Sequence, residues 1–396
     1  MADLEHFRAE TRKWLSDNSP TGVRGLILAL GEGNWGGRRA TYPNPDMKRW
    51  LEVMAERGWT APEWPTQYGG GGLSKAEAKI LRDELAVLKL PEPLSGFGLT
   101  MIGPVLLQYG TEEQKQEHIP KIVRGAIRWC QGYSEPGSGS DLASLQTKAV
   151  LQGDHYIING QKVWTSYANY SDWMFMLVRT DPKAKKQEGI TFILVDMATP
   201  GVEVKPIKLI SGSSPFCETF FTEVLVPAKN VVGNVNEGWT VAKALLNHER
   251  TMIASAFGGG AGRKRTMRDW AREYVDFDGD RLADEALRQR IAQFEMDALA
   301  FKLTADRSRD AAKAGRPPGP ESSMFKIYGT ELNQRRQELL LSIAGPQALG
   351  WEGPGFTERE LTLTRDWLRS RGNTIEGGTS EIQLNIIAKR VLGLPD

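Results

Sequence analysis

Apolar residues recur at intervals of three and four along the first third of the chain. The run "DMKRWLEVMAER", 46–57, has this spacing, and so has "KAEAKILRDELAVLK", 75–89, with Ser74 placed to cap it. A third helix is predicted over 112–125, "EEQKQEHIPKIVRG". The segment between the first two, "GWTAPEWPTQYGGGGLS", is dense in breakers and reads as a loop. The period then shortens. "DHYIINGQKVWTS" gives two strand-like runs about Asn159-Gly160, a pair that signals a hairpin turn. "DWMFMLVRT", "GITFILVDM", "GVEVKPIKLI" and "CETFFTEVLVP" continue the strand pattern. From about residue 237 the helical period returns, with helices predicted at 238–274, 280–311, 321–343, 357–370 and 380–391. The order α, β, α predicts an α+β fold, mostly α. The expected domains are 1–125, helical; 126–232, β; and 233–396, helical.

The 396 residues suffice for two or three domains. A net charge of +1 gives no general attraction to nucleic acid or to a membrane surface. Cys130 and Cys217 are the only cysteines and lack CxxC spacing. That fits a reducing cytoplasm and argues against a disulfide framework or a zinc site. His6, His118, His155 and His248 show no ligand spacing, so no metal is expected. The first residues, "MADLEHFRAETRKWL", do not form a signal peptide, and no apolar run has transmembrane length.

Four segments carry candidate chemistry. "QGYSEPGSGSD", 131–141, offers the hydroxyls of Ser134, Ser138 and Ser140, and its glycines expose backbone N–H groups. It suits a flat polar ring with phosphates, or is a plain surface loop. In "KVWTSYANYSDW", 162–173, Trp164 could stack on an aromatic ring with Thr165 and Ser166 at its edge, or be core. In "VAKALLNHERTMIASAF", 241–257, Glu249 falls on the stripe of Ala242, Leu245, Leu246, Met252, Ile253 and Ala256. Burial there would raise its pKa, as suits a general base; a structural pair with Arg250 is the other reading. In "TIEGGTSEIQ", 374–383, Ser380 and Gln383 form a capping box that places Gly377-Gly378-Thr379 just before a helix, where an oxyanion or phosphate could sit. The glycines of "AFGGGAGRKR", 256–265, lack the Lys-Ser/Thr ending and the preceding strand of a phosphate loop, and read as close helix approach. The stretch "LGEGNWGGRRATYPNP", 30–45, could cover an active site or meet a partner.

These motifs, in this order, resemble the FAD-dependent acyl-CoA dehydrogenases over nearly the whole chain. "YSEPGSGSDL" is close to the family's T-E-P-x-x-G-S-D, "GQKVWTS" to G-x-K-x-W-I-T, and "GGTSEIQLNIIAKRVLG" to the closing E-G-T-x-x-I-Q segment. The resemblance implies an N-terminal helical domain, a β-barrel-like middle domain and a C-terminal four-helix bundle, with FAD as cofactor. It places Gln131, Tyr133, Ser134, Gly139, Ser140, Trp164, Thr165, Ser166, Thr379 and Glu381 at the flavin. Ser140, Asn247, Arg250, Gly377 and Gly378 would meet the substrate. The implied reaction is α,β-dehydrogenation of an acyl-CoA thioester, with electrons passed to an electron-transfer flavoprotein-like acceptor. Most members carry the base at the E of E-G-T, which here is Gly377; Glu376 stands one residue early. "NHERTMIA" matches a smaller group with the base in an E-R pair, which assigns Glu249. The R-x-x-F-G segment that serves a neighbour's FAD is missing, and Q-x-x-G-G is altered to "LLSIAGPQALG". That pattern resembles one subunit of an α2β2 dehydrogenase such as the pimeloyl-CoA enzymes. A homo-oligomer, a non-catalytic flavin-binding subunit, or an oxidase or monooxygenase on the same fold are the alternatives.

Overall fold

The computed structural model describes residues 2–26, 34–246, 266–316 and 319–395. The chain gathers into two compact units, one of residues 1–207 with 215–248, the other of 208–214 with 249–396.

The first unit opens with helices α1 (Ala2–Asn18), α2 (Pro45–Glu56), α3 (Lys75–Val87), α4 (Gly103–Tyr109) and α5 (Glu112–Val123). Their starts follow the capping chemistry of the sequence. Ser74 and Glu77 form a capping box on α3, Thr111 and Gln114 one on α5, and Asn44 accepts from Met47 N–H at the head of α2. Seven strands follow: β1 (Trp129–Gly132), β2 (Lys148–Gln152), β3 (His155–Ser166), β4 (Trp173–Arg179), β5 (Ile190–Asp196), β6 (Val202–Ile207) and β7 (Phe216–Pro227). They form one mixed sheet in the order β1-β4-β2-β3-β7-β6, with β5 also on β4.

Strand β4 is buried on both faces, and its alternation sorts the core. Trp173, Phe175 and Leu177 join Ile119, Ile122 and Val105 from the helices, whereas Met174, Met176 and Val178 meet Ile158, Ile193 and Phe221 across the sheet's other face. Residues 238–246 form helix α6, and Val241, Ala242 and Leu245 enter the first of these clusters.

The second unit contains α7 (Met267–Tyr274), a small hairpin of β8 (Phe277–Asp278) and β9 (Arg281–Leu282), then α8 (Glu285–Lys313), α9 (Ser323–Ala344), α10 (Glu358–Ser370) and α11 (Ser380–Ile386). Its core gathers Trp270, Leu287, Ile291, Leu339, Leu340, Ile343 and Leu363.

Three sequence expectations change. The hairpin turn before β3 is Gly153-Asp154, not Asn159-Gly160: β3 runs straight through the latter pair, where the register against β7 shifts. A Cβ on Gly160 would lie 2.6 Å from Thr147 Oγ1, so this glycine serves close approach inside a strand rather than a turn. The helix expected over 238–274 does not reach 274 unbroken, because Thr266 has extended backbone and starts α7 in a capping box with Asp269. The cap of α11 is Thr379, whose hydroxyl accepts from Ile382 N–H at 3.2 Å; Ser380 is already helical, and Gln383 Nε2 instead donates to Gly377 O at 3.3 Å.

Candidate active site

On the first unit the loop between β1 and β2 is built around one buried ion pair. Lys162 is fully buried in β3, and its Nζ donates to Glu135 Oε1 at 2.7 Å and to Tyr133 O at 3.1 Å. Glu135 also accepts from the backbone N–H groups of Gln146 and Thr147 at 2.6 and 3.0 Å. Burial pushes the Lys162 pKa down to about 8, with the Glu135 carboxylate opposing the shift. Burial pushes Glu135 upward, but Lys162 and the hydrogen bonds outweigh it and hold the carboxyl below its ordinary range. Glu135 and Ser138 exchange backbone hydrogen bonds across Pro136-Gly137, closing a tight turn. Val163 N–H donates to Ser134 O at 2.9 Å and stitches the loop to β3. Gly139 and Ser140 are exposed beyond the turn. A cavity of about 230 Å³ runs along the turn, bordered by Ser138, Ser144, Gln146 and Gln161.

Past Lys162 the sheet register slips. Lys162 pairs with Thr219 but Thr165 pairs with Cys217, so β3 holds one extra residue. Trp164 takes up the bulge at φ +60°, and its indole stands 55% exposed, edge-on to Phe216. The ring is therefore a presented surface and not core. Thr165 turns the other way. Its hydroxyl is buried, donates to Cys217 O at 2.8 Å and meets Thr219 Oγ1 at 2.9 Å. Ser166 is half-buried at the strand's end. Tyr133 is 5% exposed and its ring lies edge-on to Phe175 and Phe192 in the core, while its carbonyl accepts from Lys162 at the loop. Gln131 sits half-buried on β1.

On the second unit, Gly377 and Gly378 adopt φ +69° and +88°. At φ +88° Gly378 lies in the left-handed region that favours glycine, and a Cβ there would also displace the Gln383 amide. Glu376 is held structurally: Arg369 Nη2 donates to its Oε2 at 2.7 Å and Asn373 Nδ2 to its Oε1. Backbone and Thr379 hydrogen bonds lower the pKa of exposed Glu381. Lys326 on α9 is 5% exposed, and its ammonium has no hydrogen-bond partner among the described residues; burial lowers its pKa, opposed by Glu376 and Glu381. Gln383 Oε1 is likewise buried without a partner. Lys326 does not stand out in the sequence; Glu135 and Lys162 fall within the quoted motifs, but nothing there pairs them. Asn247, Glu249 and Arg250 lie outside the described residues, as does the segment 256–265.

The chain belongs to the acyl-CoA dehydrogenase family. The models of that family's N-terminal, middle and C-terminal domains match residues 32–126, 130–224 and 236–392. It is 35% identical over 410 residues to acyl-CoA dehydrogenase IpdE1 of Mycolicibacterium smegmatis, covering 100% of this chain and 99% of that protein. It is 40% identical over 351 residues to acyl-CoA dehydrogenase FadE34 of Mycobacterium tuberculosis, covering 89% of this chain and 47% of that protein, so it spans about half of FadE34's length. Two solved structures are similar over 100% of this chain and 98% of theirs: the Tcur3481-Tcur3483 steroid ACAD, TM-score 0.76 and 32% identity, and the ChsE4-ChsE5 complex from Mycobacterium tuberculosis, TM-score 0.74 and 31% identity.

The protein is an FAD-dependent oxidoreductase of this family. The first unit's donor set fits a flavin: an exposed indole on a bulge, with the half-buried Ser134 and Ser166 in the adjoining segments. Among the described residues, no helix is long and apolar enough to cross a membrane.

Proposed function

We propose that this chain dehydrogenates an acyl-CoA thioester between Cα and Cβ, giving the trans-2-enoyl-CoA, with Glu249 as the base. The observation that carries the assignment is the state of Glu376. Its carboxylate is engaged by Arg369 and Asn373, and the next residue, where most relatives place the base, is a glycine. Each of the carboxylate's oxygens thus accepts from a neighbour, which orients the side chain for a structural role. The helix that leads to Glu249 is anchored through Val241, Ala242 and Leu245 in the buried core.

Bound FAD supplies the hydride acceptor. Gln131, Ser134, Gly139, Ser140, Trp164 and Ser166 are the first unit's groups toward it, with Thr165 supporting from inside the sheet and Tyr133 through its backbone. Thr379 and Glu381 are the second unit's groups. Gly377 N–H donates to the thioester carbonyl and stabilises the enolate as Glu249 takes the Cα proton. Asn247, Arg250, Ser140 and Gly378 hold the CoA chain. The steroid ACAD among the similar structures supports a bulky, steroid-like acyl group, and the ChsE4-ChsE5 complex supports a second, related subunit. Electrons leave to an electron-transfer flavoprotein-like carrier, and the site of action is the cytoplasm.

The test is anaerobic titration of the flavin spectrum with linear, branched, dicarboxylyl and steroid side-chain CoA thioesters. Glu249→Gln is expected to keep FAD and lose thioester-dependent bleaching, and Glu376→Gln to keep bleaching. The reverse pattern would transfer the base to Glu376.

A further inference from the structure

The stretch 34–39 is fastened at several points to the sheet and its neighbouring loops. Gly37 N–H donates to Gly125 O at 2.9 Å, Arg38 N–H to Asp172 Oδ2 at 2.9 Å, and the Arg38 guanidinium pairs with both oxygens of Asp196. A Cβ on Gly36 would stand 2.2 Å from Gly125 O, so the approach requires glycine. This fixes the Trp35 indole. It packs over Gly96, where a Cβ would come within 2.9 Å of the ring, and against Phe97 at 5.1 Å.

Arg128 also meets Trp35. Its guanidinium lies 4.6 Å from the Trp35 ring centre, 5.3 Å from Tyr167 and 5.5 Å from Tyr170. Its Nε is buried without a hydrogen-bond partner among the described residues, and burial lowers the pKa of the group. The guanidinium is therefore held chiefly by aromatic faces, an arrangement that strengthens as water is excluded. Trp35 also meets Tyr167 directly, edge-on at 5.1 Å. Tyr167 is the hinge of this contact. It sits at φ +52°, strained for a residue with a side chain, immediately after Ser166, and its N–H is fixed by Pro215 O at 2.7 Å.

We propose that the Trp35–Arg128–Tyr167 stack is a positioning device that sets where Trp164–Ser166 stands against the flavin. The 34–39 stretch carries Trp35, Arg128 lies against the rings of Trp35, Tyr167 and Tyr170, and the strained Tyr167 backbone fixes the end of β3. Arg128 and Trp35 thus act through Tyr167, without touching the cofactor. The inference rests on the reading that Trp164–Ser166 faces the flavin.

The experiment measures FAD affinity of apo-protein by fluorescence quenching, visible circular dichroism of bound flavin, and melting temperature. Trp164→Phe first tests the underlying reading; unchanged dichroism would remove both it and the inference. Given a change there, Arg128→Met and Trp35→Leu are expected to weaken FAD binding by about tenfold and alter the dichroism in the same sense. Arg128→Lys and Trp35→Phe, which keep the cation and the ring, are expected to restore most of both signals. Arg38→Gln, which loosens the 34–39 stretch at Asp196, is expected to alter the dichroism in the same sense but less than Trp35→Leu. Loss of stability without a flavin change in Arg128→Met and Trp35→Leu would overturn the positioning role.

Discussion

Adjacent residues at the end of β3 have opposite duties. Thr165 spends its hydroxyl inside the sheet on Cys217 O and Thr219 Oγ1, whereas Ser166 ends the strand beside the exposed indole of Trp164. Replacing Thr165 by valine strands two buried partners. Denaturant unfolding is expected to show a loss of about 1–3 kcal/mol, with the flavin spectrum unchanged. Ser166→Ala is expected to do the converse, keeping stability and weakening FAD binding. A larger spectral change in Thr165→Val than in Ser166→Ala would mean that the two roles are exchanged. In the sequence both are hydroxyl residues after a tryptophan, and alternation alone would place Trp164 and Ser166 together. What the sequence could not show is the bulge, since an extra residue in one strand is visible only against its partner.

At the scale of elements, α5 is bound to the sheet by an unusual contact. His118 lies edge-on to Trp129 at 5.3 Å and to Trp173 at 4.8 Å, almost fully buried. Burial pushes its pKa down from 6.5 to about 4, so the native state keeps it neutral where the unfolded chain would protonate it. Unfolding therefore takes up a proton across that interval. Stability from this contact is intact above pH 6.5 and is lost as pH falls toward 4, by an amount on the order of 3 kcal/mol. His118→Phe is expected to flatten the fall in melting temperature over that range; an unchanged slope would mean that other groups carry the acid sensitivity. Helix α5 itself was legible, because its capping box and period are local. Its histidine gave no sign of meeting two tryptophans, one from β1 and one from β4.

At the scale of the molecule, the C-terminal unit keeps its own Gly377-Gly378 turn but lacks the R-x-x-F-G segment of the family, and α9 ends in "IAGPQALG". The proposed pairing with a second subunit follows from that gap. Chain purified alone is expected to hold substoichiometric FAD, and co-expression with a related dehydrogenase subunit to raise the flavin-to-protein absorbance ratio toward saturation. Full occupancy in a homo-oligomer would remove the need for a partner.

The sequence by itself determined the order of helical and stranded regions, the helix caps at Ser74 and the family motifs, because periodicity and capping depend on residues a few positions apart. It also marked Gly377 as the place without a base. Tertiary structure decided matters that depend on distant partners. Glu376 is occupied by Arg369 and Asn373; Asn159-Gly160 lies within a strand; residues 34–39 are tied to Gly125, Asp172 and Asp196. The reason is common to all three. A hydrogen bond, a register or a close backbone approach is a relation between two segments, and either segment alone has the same composition whether or not the other arrives.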